Sequence, residues 1–266
     1  MKNIIRKILL NVSFLSLIFS LNANAGIIYD FDIRVNFGGG LTPSQQSVFA
    51  EAENFWESII IGYSDEFAGP GLDISATGAA IDGVGSTLGS AGPSLGTWNS
   101  GFLYAVAGGM NFDSADLSSL ESNNTLFDVI VHEMAHVIGF GTLWGSLYND
   151  LLDGSNNYIG EHALAAYRYE SGNPNASFVP VEQGGGPGTA GGHWDEPDGG
   201  GFTEIMTGWL DADSTISLTT INAFADLGYV VHPNFLVPED VPEPSTLAIF
   251  ALGIMGLASR RFNKKS

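Results

Sequence analysis

Apolar residues along the chain follow two different periods, and each period predicts a different kind of element. Residues 27–37 alternate between apolar and polar side chains, which predicts a strand. Thr42, Pro43 and Gln45 have the pattern of a helix start with a capping box. The helix that follows carries a buried face made of Val48, Phe49, Ala52, Phe55, Trp56 and Ile59.

The sequence after the first helix predicts further strands, loops and helices. Residues 62–100 are rich in Gly, Ser and Ala, which predicts short strands joined by loops. We expect a further strand at residues 102–112, a second strongly apolar helix at 125–140 and a last helix at 215–227. Residues 183–192 contain six glycines and form a loop. Strands and helices in this order predict an α+β domain.

The first 25 residues have the three parts of a secretory signal peptide. A positively charged start is followed by the apolar stretch 8–21 and by the small-residue cleavage motif Ala23-Asn24-Ala25. The apolar stretch is short for a membrane helix. We therefore predict a signal peptide at residues 1–25 and a mature chain that begins near Gly26.

Residues 236–266 form a second targeting segment. A Pro-Glu-Pro motif at 242–244 precedes an apolar run at 247–258, and the chain ends in a cluster of Arg and Lys. A helix of this apolar length spans roughly 20 Å, less than a hydrocarbon core of roughly 30 Å, so it would be a marginal, transient membrane anchor. The three parts resemble the PEP-CTERM sorting signal. This resemblance implies processing by an exosortase-type enzyme and delivery to the cell surface or extracellular matrix of a Gram-negative bacterium.

Composition narrows the chemistry of the 266-residue chain. Because there is no cysteine, disulfides, cysteine-based metal sites and thiol nucleophiles are excluded. The net charge of −20 argues against nucleic acid as a partner. Between residues 26 and 241 there are two arginines, no lysine and 28 of the 29 acidic residues. No repeat of fixed period divides residues 26–235, which we predict to be one catalytic domain.

The second predicted helix carries a metal-binding motif, His132-Glu133-Met134-Ala135-His136. Histidines four residues apart lie on one helix face, so both imidazoles can bind one ion, and zinc prefers such ligands. Glu133 lies beside them, where its carboxylate can take a proton from a zinc-bound water and return it to a leaving amine. The motif predicts zinc-dependent hydrolysis with Glu133 as the catalytic base.

A catalytic zinc needs a third protein ligand, and the candidates are His162, His193 and His232. Gly139 and Gly141 allow the helix to end and the chain to turn below the metal. The compact metzincin form would place the third histidine where this chain has Thr142. His193 follows the glycine-rich loop directly. Thirteen residues later comes Met206, which resembles the methionine of a metzincin Met-turn.

In these motifs the chain resembles the bacterial branch of the leishmanolysin family of metzincins. The matching stretches are residues 108–113, 132–144, 179–182, 186–194, 204–209 and 225–229. The resemblance implies the ligands His132, His136 and His193, the base Glu133 and the Met-turn residue Met206. It also implies a secreted, zinc-dependent endopeptidase that acts on proteins or peptides. Its expected fold is α+β, with two subdomains, a twisted mixed sheet and a central HExxH helix.

The chain departs from the family in two respects. It lacks the cysteine that caps the zinc in eukaryotic members, and the segment before the first helix is too short for a pro-domain. Some metzincins have a tyrosine two residues after the Met-turn methionine, where this chain has Gly208. The group that assists the metal in stabilising an oxyanion is therefore left open.

Other interpretations of the same residues remain open at this stage. In gluzincins a glutamate on a later helix is the third ligand, and Glu161 is the candidate for that role. Apart from this alternative, His162 is expected to be structural and His232 to lie at the surface. A different function is a non-catalytic surface or matrix protein whose metal only stabilises the fold. A zinc hydrolase acting on polysaccharide has no further supporting motif.

Two groups of polar residues have weaker assignments. The residues Asp150, Asp153, Asn156 and Asn157 surround a glycine and could supply oxygen ligands to Ca²⁺, although turn chemistry explains them equally well. The acidic residues that follow His193 could accept a hydrogen bond from an imidazole N–H, and these are Asp195, Glu196 and Asp198.

Overall fold

The computed structural model describes residues 31–64, 67–196, 204–210 and 214–237. The predicted signal peptide and nearly all of the predicted sorting segment lie outside these ranges. Within the described ranges, no helix is both long enough and apolar enough to cross a bilayer.

The described residues form six strands and five α-helices in a mixed order. The strands are β1 (Ile33–Gly39), β2 (Ile60–Tyr63), β3 (Leu72–Ala79), β4 (Gly89–Asn99), β5 (Phe102–Asp113) and β6 (Tyr229–Val231). The helices are α1 (Pro43–Ile59), α2 (Leu117–Ser122), α3 (Leu126–Ile138), α4 (Glu161–Ser171) and α5 (Leu218–Asp226). The predicted α+β class is confirmed.

A four-stranded mixed sheet in the order β1-β3-β5-β4 forms the N-terminal half of the molecule. β1, β3 and β5 are parallel to one another, whereas β4 runs antiparallel to β5 and forms an edge of the sheet. β2 and β6 form a separate antiparallel pair, which joins the segment after α1 to the segment after α5. Because β4 is an edge strand next to α3, its free side faces the groove in which the site lies.

The first helix begins as the sequence predicts. The Thr42 hydroxyl accepts a hydrogen bond from the backbone N–H of Gln45, and the Gln45 side chain accepts one from the N–H of Thr42. The inner face of α1 packs on α3, where the Trp56 indole donates to the Val131 carbonyl at 3.1 Å. These contacts fix one side of α3, the helix that carries the metal-binding motif.

The other side of α3 packs against β4 and β5, so the helix is almost completely enclosed. Ten of its thirteen residues are buried, and among them are the polar side chains of Glu133 and His136. Burying charged or polar groups in a helix this apolar is costly unless they have a partner or a function. The fold therefore holds this helix rigidly and turns its polar residues towards the cleft.

Candidate metal centre

Three imidazole nitrogens converge where α3 meets the glycine-rich loop. His132 and His136 lie one turn apart on α3, and His193 comes from the segment after the loop. Their Nε2 atoms form an equilateral triangle, because each of the three separations is 3.0 Å. Among the described residues this is the one group of His, Asp and Glu side chains whose ligand atoms all lie within 4.8 Å of one another. The structure thus brings together the three histidines that the sequence singles out.

The other nitrogen of each ring bonds to a backbone carbonyl. Nδ1 of His132 lies 2.6 Å from the carbonyl oxygen of Ile205, and Nδ1 of His136 lies 2.9 Å from that of Phe140. His193 makes the same contact with Thr189 at 2.9 Å. A carbonyl oxygen only accepts, so each Nδ1 carries the proton and each Nε2 keeps its lone pair.

This donor set fits a zinc ion. Three lone pairs that face one another at 3.0 Å repel unless a cation lies between them, and Zn–N bonds of about 2.0–2.1 Å suit a triangle of this size. Burial lowers the pKa of His132 to about 3, and it also lowers the pKa values of His136 and His193. The imidazoles are therefore neutral at physiological pH, which is the form that binds a metal.

Glu133 lies beside the triangle at the base of the cleft. The residue is only 6 % exposed, and burial raises the pKa of its carboxyl group to about 8. Its carboxylate lies against Gly89 at the start of β4, where an added Cβ would come within 2.8 Å of Oε1. A glycine at this point therefore leaves the room that the carboxylate needs between the helix and the edge strand.

Two glycines turn the chain away from the helix. Gly139 ends α3 with a φ of 140°, and its N–H donates to the Ala135 carbonyl. Gly141 has a φ of 72°, and a Cβ there would lie 2.2 Å from the carbonyl oxygen of Gly192. The close approach at Gly141 thus places the segment next to His193 directly under the end of α3.

Met206 lies in a buried turn that continues this packing. The N–H of Trp194 donates to its carbonyl at 3.0 Å, and Met206 is fully buried. The preceding residue, Ile205, supplies the carbonyl that accepts from His132. The turn is therefore tied to two of the three histidine-bearing segments, which is consistent with the predicted Met-turn.

Sequence reasoning missed the role of Glu204, which holds this turn in place. Its buried carboxylate accepts from the N–H of Met206 at 2.5 Å and from the Thr220 hydroxyl at 2.5 Å. It also accepts from the N–H and the hydroxyl of Ser217, the N-cap residue of α5. The same Thr220 hydroxyl accepts from the indole of Trp194 at 2.8 Å. Burial raises the pKa of Glu204, and these hydrogen bonds oppose the rise.

We expect Glu204→Gln to destabilise the zinc-loaded protein by about 1–3 kcal/mol, because an amide cannot accept at both of its polar atoms and leaves a buried donor unpaired. The free energy of unfolding in urea measures the effect. Glu51→Gln is the matched control, since Glu51 is exposed on α1. Equal stabilities for the two variants would contradict this role of Glu204.

The other candidate ligands lie elsewhere. Glu161 and His162 are exposed at the start of α4, where the backbone N–H of His162 donates to Asp226. His232 accepts from the N–H of Asn234 at a short 3₁₀ turn. In the described part of the chain none of them joins the imidazole triangle. The arrangement favours His193 over Glu161 as third ligand.

Turn chemistry accounts for the loop proposed for Ca²⁺. The carboxylate of Asp153 accepts from the N–H groups of Ser155 and Asn157 and from the Asn157 side chain, and calcium there has no support. The sequence suggests that an acidic residue after His193 accepts a hydrogen bond from an imidazole N–H. For His193 itself, the carbonyl oxygen of Thr189 accepts from Nδ1 instead. Asp198 lies outside the described residues.

The imidazole triangle opens into a cleft of about 880 Å³. It is lined by residues 86–91, which include the start of the edge strand β4, and by residues of the glycine-rich loop between 185 and 192. The segment after the Met206 turn, residues 207–210, lines one end. Among the described residues that line the cleft there is no lysine or arginine, and the carboxylates are those of Asp128 and Glu133.

Comparison with known proteins decides the family. The family model described as Leishmanolysin, a peptidase family, matches residues 102–242, more than half of the chain. The chain belongs to the leishmanolysin family. A second model, the PEP-CTERM protein-sorting motif, matches residues 240–261. A search of curated proteins found no match.

These two matches confirm both resemblances that the sequence motifs indicate. All three histidines, Glu133 and Met206 fall within the part that matches the leishmanolysin model. The protein is therefore a member of a metallopeptidase family. It also carries a signal for export and sorting to the cell surface. The catalytic and ligand roles of individual residues stay predictions, which the geometry above supports.

Proposed function

We propose that this leishmanolysin-family protein is a secreted zinc endopeptidase of the metzincin type. The observation that carries the proposal is the convergence of three Nε2 atoms, 3.0 Å apart, beside the buried carboxyl group of Glu133. A site that only stabilised the fold would be closed by a fourth protein ligand, as structural zinc sites usually are. Here the triangle faces a large cleft instead.

His132, His136 and His193 would hold the zinc ion through Nε2. When bound, zinc supplies Lewis acidity towards the scissile carbonyl and towards the attacking water. The three backbone carbonyls keep the rings in one tautomer and one orientation, so little rearrangement is needed when the metal binds. Three neutral ligands also leave the double positive charge of the ion undiminished.

Glu133 would carry the proton during hydrolysis. Its carboxylate takes a proton from the attacking water and passes it to the nitrogen of the leaving amine. Burial favours the protonated form, which makes the carboxyl group a competent donor in the second step. Gly89 leaves room for the carboxylate beside the edge strand, and Glu133 lines the cleft.

The cleft suits an extended polypeptide. β4 is an edge strand, and an extended peptide can add to such an edge through backbone hydrogen bonds. The segment that lines the cleft contains the small residues Gly89, Ser90 and Ala91, which permit a close approach of another backbone. Recognition through the main chain fits an enzyme that cleaves within proteins rather than one that recognises a small molecule.

The targeting segments complete the proposal. We propose that residues 1–25 direct export, that residues 26–235 form the catalytic domain and that residues 236–266 hold the protein at the membrane until an exosortase-type enzyme processes it. The match to the sorting motif supports the last of these assignments. A Gram-negative cell surface or extracellular matrix is the expected destination.

Chelation tests the proposed activity. We expect the purified protein to cleave casein, to lose that activity in 1,10-phenanthroline and to regain it when one equivalent of zinc is restored. The measurement is the rate of fluorescence release from labelled casein, together with the zinc content per chain. A protein that binds one zinc but cleaves no casein or peptide library at any metal level would instead favour the non-catalytic surface or matrix protein.

A further inference from the structure

Two carboxylates outside the zinc centre lie against the same loop, residues 80–88 between β3 and β4. Asp113, at the end of β5, accepts through Oδ2 from the N–H groups of Asp82 and Gly83, both at 2.8 Å, and through Oδ1 from the N–H of Ala115 at 2.9 Å. Asp116, three residues later, accepts from the N–H of Gly85 at 2.9 Å. The loop is therefore folded around two acidic side chains that the proposed function does not use.

The carboxylate of Asp116 is left incomplete by the protein. The residue is only 5 % exposed, and its Oδ2 atom is buried without any hydrogen-bond partner. Asp116 occupies the N-cap position of α2 but makes no capping hydrogen bond, so helix capping does not explain it. A buried carboxylate oxygen without a partner is costly, and in native proteins such an atom calls for a specific explanation.

Neither arginine of the described chain pairs with Asp116. Arg34 is paired with Asp32 and Asp73, and Arg168 donates through Nε to a backbone carbonyl that follows α4. Residues 26–241 contain no other arginine and no lysine. Buried charges in proteins are paired with an opposite charge or bind a metal ion. A bound cation would supply the opposite charge that neither arginine provides.

The loop at residues 80–88 offers further oxygen atoms as metal ligands. The loop adds the carboxylate of Asp82, and within the described chain the backbone carbonyls of residues 82–86 accept no hydrogen bond from a backbone or side-chain donor. Ca²⁺ takes six to eight oxygen ligands from carboxylates, backbone carbonyls and water. We propose that Asp113, Asp116 and carbonyl oxygens of the 82–86 loop bind a calcium ion.

The loop at residues 80–88 connects the proposed calcium site to the cleft. The loop continues into residues 86–89, which form the cleft wall, and Gly89 lies against the Glu133 carboxylate. A bound calcium ion holds the start of that wall to the end of β5. The calcium site is distinct from the loop at residues 150–157, where the structure shows no buried carboxylate oxygen without a hydrogen-bond partner.

Calcium-dependent thermal unfolding of the zinc-loaded protein tests the proposal. In buffer freed of other metals, CaCl₂ at about 100-fold excess over its Kd is expected to raise the Tm of the wild type by about 5 °C or more. Isothermal titration is expected to give one Ca²⁺ per chain. MgCl₂ at the same concentration is expected to give a much smaller shift, because Mg²⁺ demands a tighter octahedral geometry.

Asp116→Asn is the decisive variant. It keeps the shape of the side chain and an acceptor for the Gly85 N–H, but it removes the charge. Without calcium we expect its Tm to equal or exceed that of the wild type, because the buried carboxylate oxygen without a partner is removed. With calcium we expect no gain in stability. Asp153→Asn is the matched control and is expected to respond to calcium as the wild type does.

Three results would overturn the calcium site. They are a wild-type Tm that does not respond to CaCl₂, an Asp116→Asn variant that responds as fully as the wild type, and a magnesium response as large as that of calcium. A variant that is less stable by the same amount with and without calcium would show a purely structural role for Asp116. None of these readouts depends on proteolysis, so they are independent of the proposed peptidase activity.

Discussion

Replacing Glu133 by glutamine is expected to lower kcat/KM for casein or peptide cleavage by about 10³-fold, while the zinc content stays at one ion per chain. General acid–base catalysis contributes typically about 10²–10⁴-fold, and glutamine can neither take up nor deliver the proton. Because the carboxyl group is buried and glutamine has nearly the same shape, the helix should fold as before. Steady-state kinetics and metal analysis on one preparation measure both quantities.

Glu161→Gln is the matched control for this variant. Glu161 is exposed at the start of α4 and lies away from the imidazole triangle, so its amide variant should keep full activity and full zinc content. Cleavage by Glu133→Gln at the wild-type rate would refute the assigned base. Loss of zinc in Glu161→Gln would revive the gluzincin interpretation of that residue.

The second large effect is expected for His193→Ala. This change removes one corner of the Nε2 triangle and leaves only the two ligands on α3. We expect the zinc dissociation constant to rise by more than the roughly 10–100-fold that follows the loss of a residue that merely supports a ligand. Proteolysis should fall below detection at stoichiometric zinc. Competition with a chelating dye measures the affinity.

His162→Ala provides the comparison for His193→Ala. Its ring lies at the surface of α4, so removing it should change neither zinc affinity nor cleavage. An unchanged zinc dissociation constant in His193→Ala would show that another group completes the metal site. A loss of affinity in both variants would point to a general effect on folding rather than on the ligand set.

Much of the fold was predictable where local signals agree with tertiary packing. The capping box at Thr42 fixed the start of α1, and the apolar stripe around the HExxH motif gave α3 to within two residues at each end. The strand pair β2–β6 was not predicted. β2 has only four residues and β6 only three, and they pair over more than 160 positions of sequence. Neither segment is long enough to establish a period of its own.

The residues of the candidate site could also be predicted only in part. The spacing of His132 and His136 is a helical signal, and the glycine-rich loop before His193 made a distant third ligand plausible. The function of Glu204 depends on donors from α5 and from its own turn, which only the folded chain brings together. A glutamate next to the apolar pair Ile205-Met206 was the available signal, and it indicated burial without identifying the partners.

The backbone carbonyls behind the three imidazoles have an evolutionary consequence. Each acceptor belongs to the main chain of Ile205, Phe140 or Thr189, so exchanging those side chains does not remove it. Mutational drift at these three positions should therefore leave the electronic character of the centre almost untouched. Selection for a different basicity of the imidazole ligands would have to change the path of the backbone itself. In this chain Gly139 and Gly141 set that path.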